Sequence, residues 1–313
     1  MKLYESLEDI EIPFEKAVIT IGNFDGVHIG HQALFHEVIE RADAMGGTSI
    51  AMTFDPHPVR FLNKKGSPSL ITLCEQKVEL INSSGIDAII VVPFDIAFAT
   101  LTARMFVEEV LLKRIGMKTI VVGQDYTFGK GREGNLDMLK EMAAELDFEV
   151  VVTDWIQSAN AARGRISSTR IRELVMAGDL RKAEKMLGRH YQIRGTVATG
   201  RDRGGKLLGF PTANINLQDE LCPKTGVYAV SVECGGEVYK GVANIGYSPT
   251  FDDHEFTVEV HILDFSKDIY GEKIRVNFFE RIRDEIKFSD ISKLSDQITA
   301  DIKTAREILQ SDS

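Results

Sequence analysis

The sequence contains few cysteines, few prolines and no apolar run long enough to span a membrane. Its 313 residues include three cysteines, Cys74, Cys222 and Cys234, which are odd in number and lie far apart. This pattern favours free thiols in a reducing compartment over a disulfide framework or a zinc site. The run that comes nearest to membrane length, around residues 88–101, is interrupted by Pro93 and Asp95, so we expect no membrane span.

The sequence also has fewer basic than acidic residues, with 37 Lys and Arg against 47 Asp and Glu. The formal net charge is −10 at pH 7, and because binding to a phosphate backbone needs a basic face, we expect no nucleic-acid partner. A small anionic ligand in a local basic pocket remains compatible with this charge. The first ten residues contain no apolar core and no cleavage-like segment, so we also expect no signal peptide. Together these absences predict a soluble cytoplasmic protein.

Residues 1–187 alternate short apolar runs with helical patterns. The apolar runs predict strands at residues 17–21, 49–54, 88–92, 119–122 and 149–153. The spacing of apolar residues predicts helices near residues 32–45, 75–82, 102–115 and 136–146. This alternation is typical of an open parallel sheet with flanking helices, which binds ligands beyond the carboxyl ends of its strands.

Past residue 187 the hydrophobic period changes from about 3.6 to about 2. Apolar and polar residues alternate along residues 228–232, 256–262 and 274–278, with Gly-, Asp- and Asn-rich turns between them. This pattern predicts a small antiparallel barrel or sandwich. The chain ends in a helical stripe of apolar residues from Leu294 to Leu309. We therefore expect two domains, residues 1–187 and residues 188–313.

A glycine-rich turn between the first predicted strand and the first long helix carries two histidines. Residues 21–32 read I-G-N-F-D-G-V-H-I-G-H-Q, with His28 and His31 at the turn. Glycines let the backbone approach a ligand, and the N–H groups at a helix start bind phosphate. The imidazoles can add hydrogen bonds to a polyphosphate. The alternative is that the histidines only cap the helix.

Two more segments follow strands of the same half. Residues 166–172 read I-S-S-T-R-I-R and begin a predicted helix, with Arg163 and Arg165 just before it. Hydroxyls and arginines at a helix start suit polyphosphate, although a solvated basic helix start has the same appearance. Residues 122–130 read V-G-Q-D-Y-T-F-G-K, in which Phe128 could stack on a planar ring or belong to a packed loop. His57, in T-F-D-P-H-P, has no partner at metal-ligand spacing, so we interpret it as structural or ligand-lining.

In the second half, residues 203–214 read R-G-G-K-L-L-G-F-P-T-A-N. This is not a Walker loop, but its glycines and Lys206 can wrap phosphates, or it can be a simple hairpin loop. Thr212 and Asn214 alternate across Ala213 and can offer neutral oxygens to a magnesium nucleotide. Glu259 alternates with Val258 and Val260, which by pattern indicates a solvent-facing carboxylate.

Taken together, these motifs resemble the bacterial bifunctional riboflavin kinase/FMN adenylyltransferase (FAD synthetase) family. H-x-G-H alone is typical of the nucleotidylyltransferase superfamily, and the longer string G-N-F-D-G-V-H-I-G-H-Q resembles its flavin branch. The family also has I-S-S-T-x-x-R and G-x-D-F-x-F-G elements, with Tyr126 here where phenylalanine is usual. G-F-P-T-A-N resembles the riboflavin kinase signature, and T-V-E-V-H matches the segment that holds the family's catalytic base.

The resemblance implies an N-terminal Rossmann-like nucleotidylyltransferase domain with a parallel sheet and flanking helices, residues 1–187. It implies a C-terminal riboflavin kinase domain, a small antiparallel β-barrel with a terminal helix, residues 188–313. The implied reactions convert riboflavin to FMN and FMN to FAD with release of pyrophosphate, each with ATP and Mg²⁺. The implied partners are riboflavin, FMN, FAD and ATP, in a monomer or weak homo-oligomer.

The resemblance also implies roles for individual residues. The catalytic residues would be His28, His31 and Glu259. ATP for adenylylation would bind at Gly22, Asn23, Phe24, Asp25, His28, His31, Arg163, Ser167, Ser168, Thr169, Arg170 and Arg172. The flavin would bind at Gly123, Asp125 and Phe128. ATP for the kinase would bind at Gly205, Lys206, Gly209, Pro211, Thr212 and Asn214, and Thr212 and Asn214 would hold its Mg²⁺.

Two alternatives stay open at this stage. One is a non-catalytic flavin or nucleotide sensor, which the presence of His28, His31, Asn214 and Glu259 disfavours. The other is an enzyme with one active half that adenylylates a different phosphorylated substrate. Turnover with defined substrates separates both from the bifunctional enzyme.

Overall fold

The computed structural model describes residues 1–62, 67–154, 165–198, 210–247, 256–288 and 290–311. It divides into two compact units, Met1–Ser168 and Thr169–Ser313. The helices between residue 168 and residue 187 pack within the second unit, before the boundary expected from the sequence. That boundary between functional domains stays a prediction.

The first unit is built on a parallel sheet of six strands. The strands are β1 Lys2–Tyr4, β2 Ala17–Ile21, β3 Thr48–Asp55, β4 Ala88–Pro93, β5 Met117–Gly123 and β6 Glu149–Thr153. Their order in the sheet is β1-β4-β3-β2-β5-β6, so the chain changes direction across the sheet between β2 and β5. The expected parallel sheet is confirmed, with one edge strand, β1, added to it.

Helices cover both faces of this sheet. They are α1 Ile29–Met45, α2 Pro58–Leu62, α3 Cys74–Asn82, α4 Ile96–Ala99, α5 Ala103–Met105 and α6 Leu136–Leu146. A π-helical segment, Phe106–Ile115, continues α5, and a short 3₁₀ turn spans Lys130–Arg132. Side chains of β2 alternate between two cores, with Ile19 in one and Val18 in the other. A strand that is buried on both faces reads as a continuous apolar run, which is why β2 was predictable.

The second unit is a closed barrel preceded by two helices, α7 Ser168–Ala177 and α8 Leu180–Leu187. Its strands are β7 Tyr191–Ala198, β8 Ala213–Asn216, β9 Gly226–Cys234, β10 Glu237–Tyr247, β11 Phe256–Ile262 and β12 Lys273–Arg283. They close in the order β10-β11-β8-β7-β12-β9, with antiparallel pairing throughout. The barrel, rather than the sandwich, is therefore the observed form.

The final helix, α9 Ile291–Ser311, packs on the outside of the barrel. Ala305 and Leu309 are buried there against Ala229 of β9, as the predicted stripe requires. Among the described residues, no helix is long and apolar enough to cross a membrane. The three cysteines are free thiols.

Candidate active sites

The first candidate site lies at the carboxyl end of the parallel sheet, where β2 and β5 are neighbours. The loop of residues 22–28, here called the histidine loop, follows β2, and Gly123 and Asp125 lie at and just beyond the end of β5. The chain leaves these two strands toward opposite sides of the sheet, which is the position where open parallel sheets bind ligands.

The histidine loop has an unusual backbone. Phe24 and Val27 adopt positive φ angles of 46° and 38°, and Gly26 lies between them at 85°. A positive φ is costly for residues with a side chain and more so for a β-branched one, so surrounding contacts must hold this conformation. Phe24 and Val27 are both buried, and this packing supplies such contacts.

His28 caps helix α1 with its own ring. Its Nδ1 accepts a hydrogen bond from the His31 main-chain N–H at 3.3 Å, which assigns the proton of a neutral ring to Nε2. The His28 and His31 rings stack with centroids 3.6 Å apart. A Cβ on Gly30 would lie 3.1 Å from the His28 ring, so glycine makes room for this stack. The structure thus shows His28 as the cap of the helix, and a role of its Nε2–H toward phosphate stays a prediction.

Asp25 faces the protein interior. Its carboxylate accepts the main-chain N–H groups of Ile71 and Thr72 at 3.0 and 3.1 Å, and the Thr72 hydroxyl in turn accepts the Gly26 N–H at 3.0 Å. Asp25 thus joins the histidine loop to the segment before α3. Phe24 is also buried, whereas Gly22 and Asn23 are partly exposed. Direct ATP contact by these four residues stays a prediction.

A buried lysine completes the support of this loop. Lys77 of α3 is 5% exposed, and its Nζ donates to the Phe54 carbonyl at 3.1 Å and to the Asn23 carbonyl at 3.4 Å. Burial lowers the pKa of Lys77, while Cys74, Asp25 and Asp55 act against that shift. The sequence interpretation missed Lys77. The available signal was its position four residues before Ile81, on the buried face of α3.

The I-S-S-T segment reaches the same edge of the sheet through Ser168. The Ser168 hydroxyl donates to the Asp25 carbonyl at 2.8 Å. Arg165 pairs with the Asp125 carboxylate at 2.6 Å, which joins this segment to the loop after β5. Ser167 is partly exposed, and Arg163 lies outside the described residues.

Further along α7, the predicted phosphate-binding residues belong to the second compact unit. Thr169 is exposed, Arg172 is partly exposed, and Arg170 pairs with Glu173 at 2.7 Å.

Phe128 is part of an aromatic cluster rather than an exposed platform. Its ring is 6% exposed, and it stacks on Tyr126 at 5.4 Å. The cluster continues through partly or fully buried rings of β3, the residue after β4, α2, α4 and the π-helical segment, which are Phe54, Phe94, Phe61, Phe98 and Phe106. Stacking of Phe128 itself on a flavin stays a prediction, and the more exposed rings of the cluster were missed.

The second candidate site is a row of polar residues across three barrel strands. Glu259 of β11 pairs in register with Asn214 of β8 on one side and with Asn244 of β10 on the other. Val258 and Val260 point into the barrel, so Glu259 lies on the outer face. It is nevertheless partly buried, and this burial raises the pKa of its carboxyl group. A raised pKa makes the carboxylate a stronger base.

Thr212 and Asn214 share that outer face, because both are partly exposed while Ala213 between them is buried. His261 holds this segment: its Nδ1 lies 2.8 Å from the Pro211 carbonyl, and its ring meets the Phe210 ring at 87°. The sequence interpretation assigned no role to Asn244 or His261. Gly205, Lys206 and Gly209 lie outside the described residues, and the described residues contain no cluster of histidine, cysteine and carboxylate groups suited to a metal.

Two family models match the chain in succession, FAD synthetase over residues 11–170 and riboflavin kinase over residues 187–309. A bifunctional riboflavin kinase/FMN adenylyltransferase from Haemophilus influenzae is 38% identical over 99% of this chain and 100% of its own. The protein of the same name from Bacillus subtilis is 38% identical over 93% of this chain and 92% of its own. The chain belongs to the bifunctional riboflavin kinase/FMN adenylyltransferase family.

A solved structure from Streptococcus pneumoniae shares the fold along nearly the whole chain. It has a TM-score of 0.85 and 34% identity, and the match covers 97% of this chain and 98% of that one. Its name is macrolide-efflux protein. That name applies to the other protein, and nothing in the described fold of this chain supports efflux.

Proposed function

We propose that this chain phosphorylates riboflavin to FMN in its second unit and adenylylates FMN to FAD in its first unit. The observation that carries the proposal is the pair of sites in one chain: stacked histidines at a helix start, and a desolvated carboxylate beside Asn214 on a barrel. The succession of the two family models along the chain supports the same assignment.

In adenylyl transfer, the FMN phosphate attacks the α-phosphorus of ATP and pyrophosphate leaves. This nucleophile is already ionised at neutral pH, so the step needs no protein base. The contribution of the chain is to orient the phosphates and to stabilise charge that develops on them. His28 suits that role, because its capping bond fixes the tautomer that presents Nε2–H.

In the kinase reaction, a ribityl hydroxyl of riboflavin attacks the γ-phosphorus and ADP leaves. This nucleophile carries a proton, and Glu259 would accept it as general base. Thr212 and Asn214 would hold Mg²⁺ together with the nucleotide. Mg²⁺ prefers oxygen ligands, and because waters and the nucleotide phosphates supply several of them, few protein ligands are needed. The bound Mg²⁺ would neutralise charge on the transferred phosphoryl group.

The test is a product assay with the purified full-length protein, riboflavin, ATP and Mg²⁺, with FMN and FAD separated by chromatography. We expect FMN to appear first and FAD to follow. FMN without FAD would contradict the adenylylation half, and FAD formed only from added FMN would contradict the kinase half. If the folded protein binds flavin but forms neither FMN nor FAD, the result would favour the non-catalytic sensor.

Two variants assign the sites within the same assay. Asparagine is a strong helix-capping residue, so His28→Asn keeps the cap and removes the Nε2–H donor. We expect it to lose adenylyl transfer and to keep the kinase. Glu259→Gln should do the reverse, since it keeps the shape of the side chain but not the base. Unchanged turnover in either variant would reject that assignment.

We further propose that the enzyme works in the cytoplasm as a monomer or weak homo-oligomer, apart from membranes and nucleic acid. The acidic net charge of −10 supports the last point. Sedimentation of the purified protein with and without duplex DNA and anionic vesicles tests the oligomeric state and the absence of both partners, and fractionation of cells tests the compartment.

A further inference from the structure

Lysine is an expensive side chain to place inside the first unit. Lys77 is 5% exposed, and on this face of α3 an apolar residue would fill the space without the cost of burying an ammonium group. Its neighbour on the same face, Ile81, is fully buried and apolar. The charge at Lys77 therefore needs compensation by hydrogen bonds, and the two acceptors that it contacts identify what it does.

The acceptors are main-chain oxygens of two different loops. One is the Phe54 carbonyl at the end of β3, 3.1 Å from Nζ, and the other is the Asn23 carbonyl in the histidine loop, 3.4 Å away. The Thr53 hydroxyl donates to the same Asn23 oxygen at 3.3 Å. Two side-chain donors thus converge on one carbonyl of the loop that carries His28.

We propose that Lys77 is a positioning residue for adenylyl transfer: its ammonium holds the carbonyls of Asn23 and Phe54 and thereby fixes the histidine loop for catalysis. The loop needs such restraint, because Phe24 and Val27 keep positive φ angles only under outside contacts. This inference rests on the proposed adenylylation site.

Lys77 acts at a distance from the reacting atoms, so its loss should change catalysis more than binding. The histidine ring must sit correctly when charge develops on the phosphates, and a loosened loop forfeits part of that preorganisation. Hydrogen bonds from charged groups are the stronger kind, so we expect the kcat of adenylyl transfer to fall about 10- to 100-fold in Lys77→Met. The KM for ATP should change less than about threefold.

The experiment measures kcat and KM of both reactions in the full-length protein. Methionine keeps the unbranched stem of lysine without its charge, and Lys77→Arg restores a charged donor. We expect Lys77→Arg to recover part of the lost kcat, and the kinase reaction of both variants to match the wild type. A wild-type kcat in Lys77→Met overturns the proposal, as does a loss that appears only in KM.

If Lys77→Met does not fold, a second pair of variants tests whether hydrogen bonds to the Asn23 carbonyl position the histidine loop. Thr53→Val removes the other donor to the Asn23 carbonyl, and Thr53→Ser keeps it. We expect Thr53→Val to have a kcat about threefold or more below that of Thr53→Ser, and equal values overturn the proposal. His28→Asn serves as the reference for the site itself. If His28→Asn is impaired and Lys77→Met is not, only this inference fails; if His28→Asn is unimpaired, the proposed site is wrong.

Discussion

A buried ion pair fastens the terminal helix to the barrel, and breaking it should destabilise the second unit strongly. Arg283, the last residue of β12, donates three hydrogen bonds of 2.7 to 3.1 Å to the Asp301 carboxylate on α9. Gln297 donates a fourth at 2.9 Å. The Asp301 side chain is 3% exposed and that of Arg283 is 18% exposed, so water can replace the lost partner only in part.

Asp301→Ala leaves the largely buried Arg283 guanidinium without a carboxylate, with a hydrogen bond of 2.9 Å to the Asp284 carbonyl still in place. Removal of one partner of a buried pair costs about 3 to 5 kcal/mol of unfolding free energy. With a urea m-value of about 2 kcal/mol/M for a unit of this size, the unfolding midpoint should fall by about 2 M. Residual kinase and adenylyltransferase activities, measured along a urea series, report the two units separately. The kinase midpoint should move and the adenylyltransferase midpoint should not.

The same helix provides the matched control. Arg306 pairs with Asp264 at 2.8 Å, but these side chains are 41% and 75% exposed. Arg306→Ala, which breaks this exposed pair from within the helix, should therefore cost less than about 1 kcal/mol. If Asp301→Ala costs no more than Arg306→Ala, the reasoning from burial is refuted. Replacing both members of the buried pair, Arg283→Met with Asp301→Leu, should recover most of the loss.

Three further predictions concern activity. Burial raises the pKa of Glu259 above its ordinary 4.5, so the kinase kcat should rise with pH through that higher value. A kcat that stays flat from about pH 4.5 to 7 would contradict the role of Glu259 as general base. His261→Asn, which keeps a donor near Nδ1, should retain kinase activity, whereas His261→Leu should weaken it; equal rates would show that the Pro211 contact is dispensable. Gly30→Ala should slow adenylyl transfer, because its Cβ would lie 3.1 Å from the His28 ring, and an unchanged kcat would count against the stacked geometry.

Much of the fold follows from hydrophobic period. Strands β2 and β6 coincide with the predicted ranges, and helix α6 does as well. The sequence left the barrel and the sandwich equally open, because closure depends on which distant strands pair. Strand β1 was missed, since three residues at a sheet edge carry too little periodicity to read. The predicted helix over residues 102–115 continues past α5 as a π-helical segment, a change in hydrogen bonding that side-chain spacing does not reveal.

The candidate sites were only partly predictable for a related reason. The motif located His28, but its capping bond and its stacking on His31 depend on backbone angles that a string of letters does not give. Phe128 was recognised as aromatic, yet its burial follows from Tyr126 and neighbouring loops. Lys77 reads as an ordinary surface lysine until α3 is placed against β3.

The two proposed sites differ in whether they offer a general base, and this difference matches the protonation of their nucleophiles. The FMN phosphate arrives without a proton to remove, and His28 of the first proposed site would act as a donor, because its Nδ1 accepts the His31 N–H and a neutral ring then carries its proton on Nε2. The riboflavin hydroxyl arrives with a proton, and the second site presents a desolvated carboxylate. One acid–base group therefore separates the two reactions. The acid limb set by Glu259 should appear in the pH profile of the kinase and be absent from that of adenylyl transfer in the same protein sample. Profiles with the same acid limb would mean that a group shared by both reactions, and not Glu259, limits the kinase.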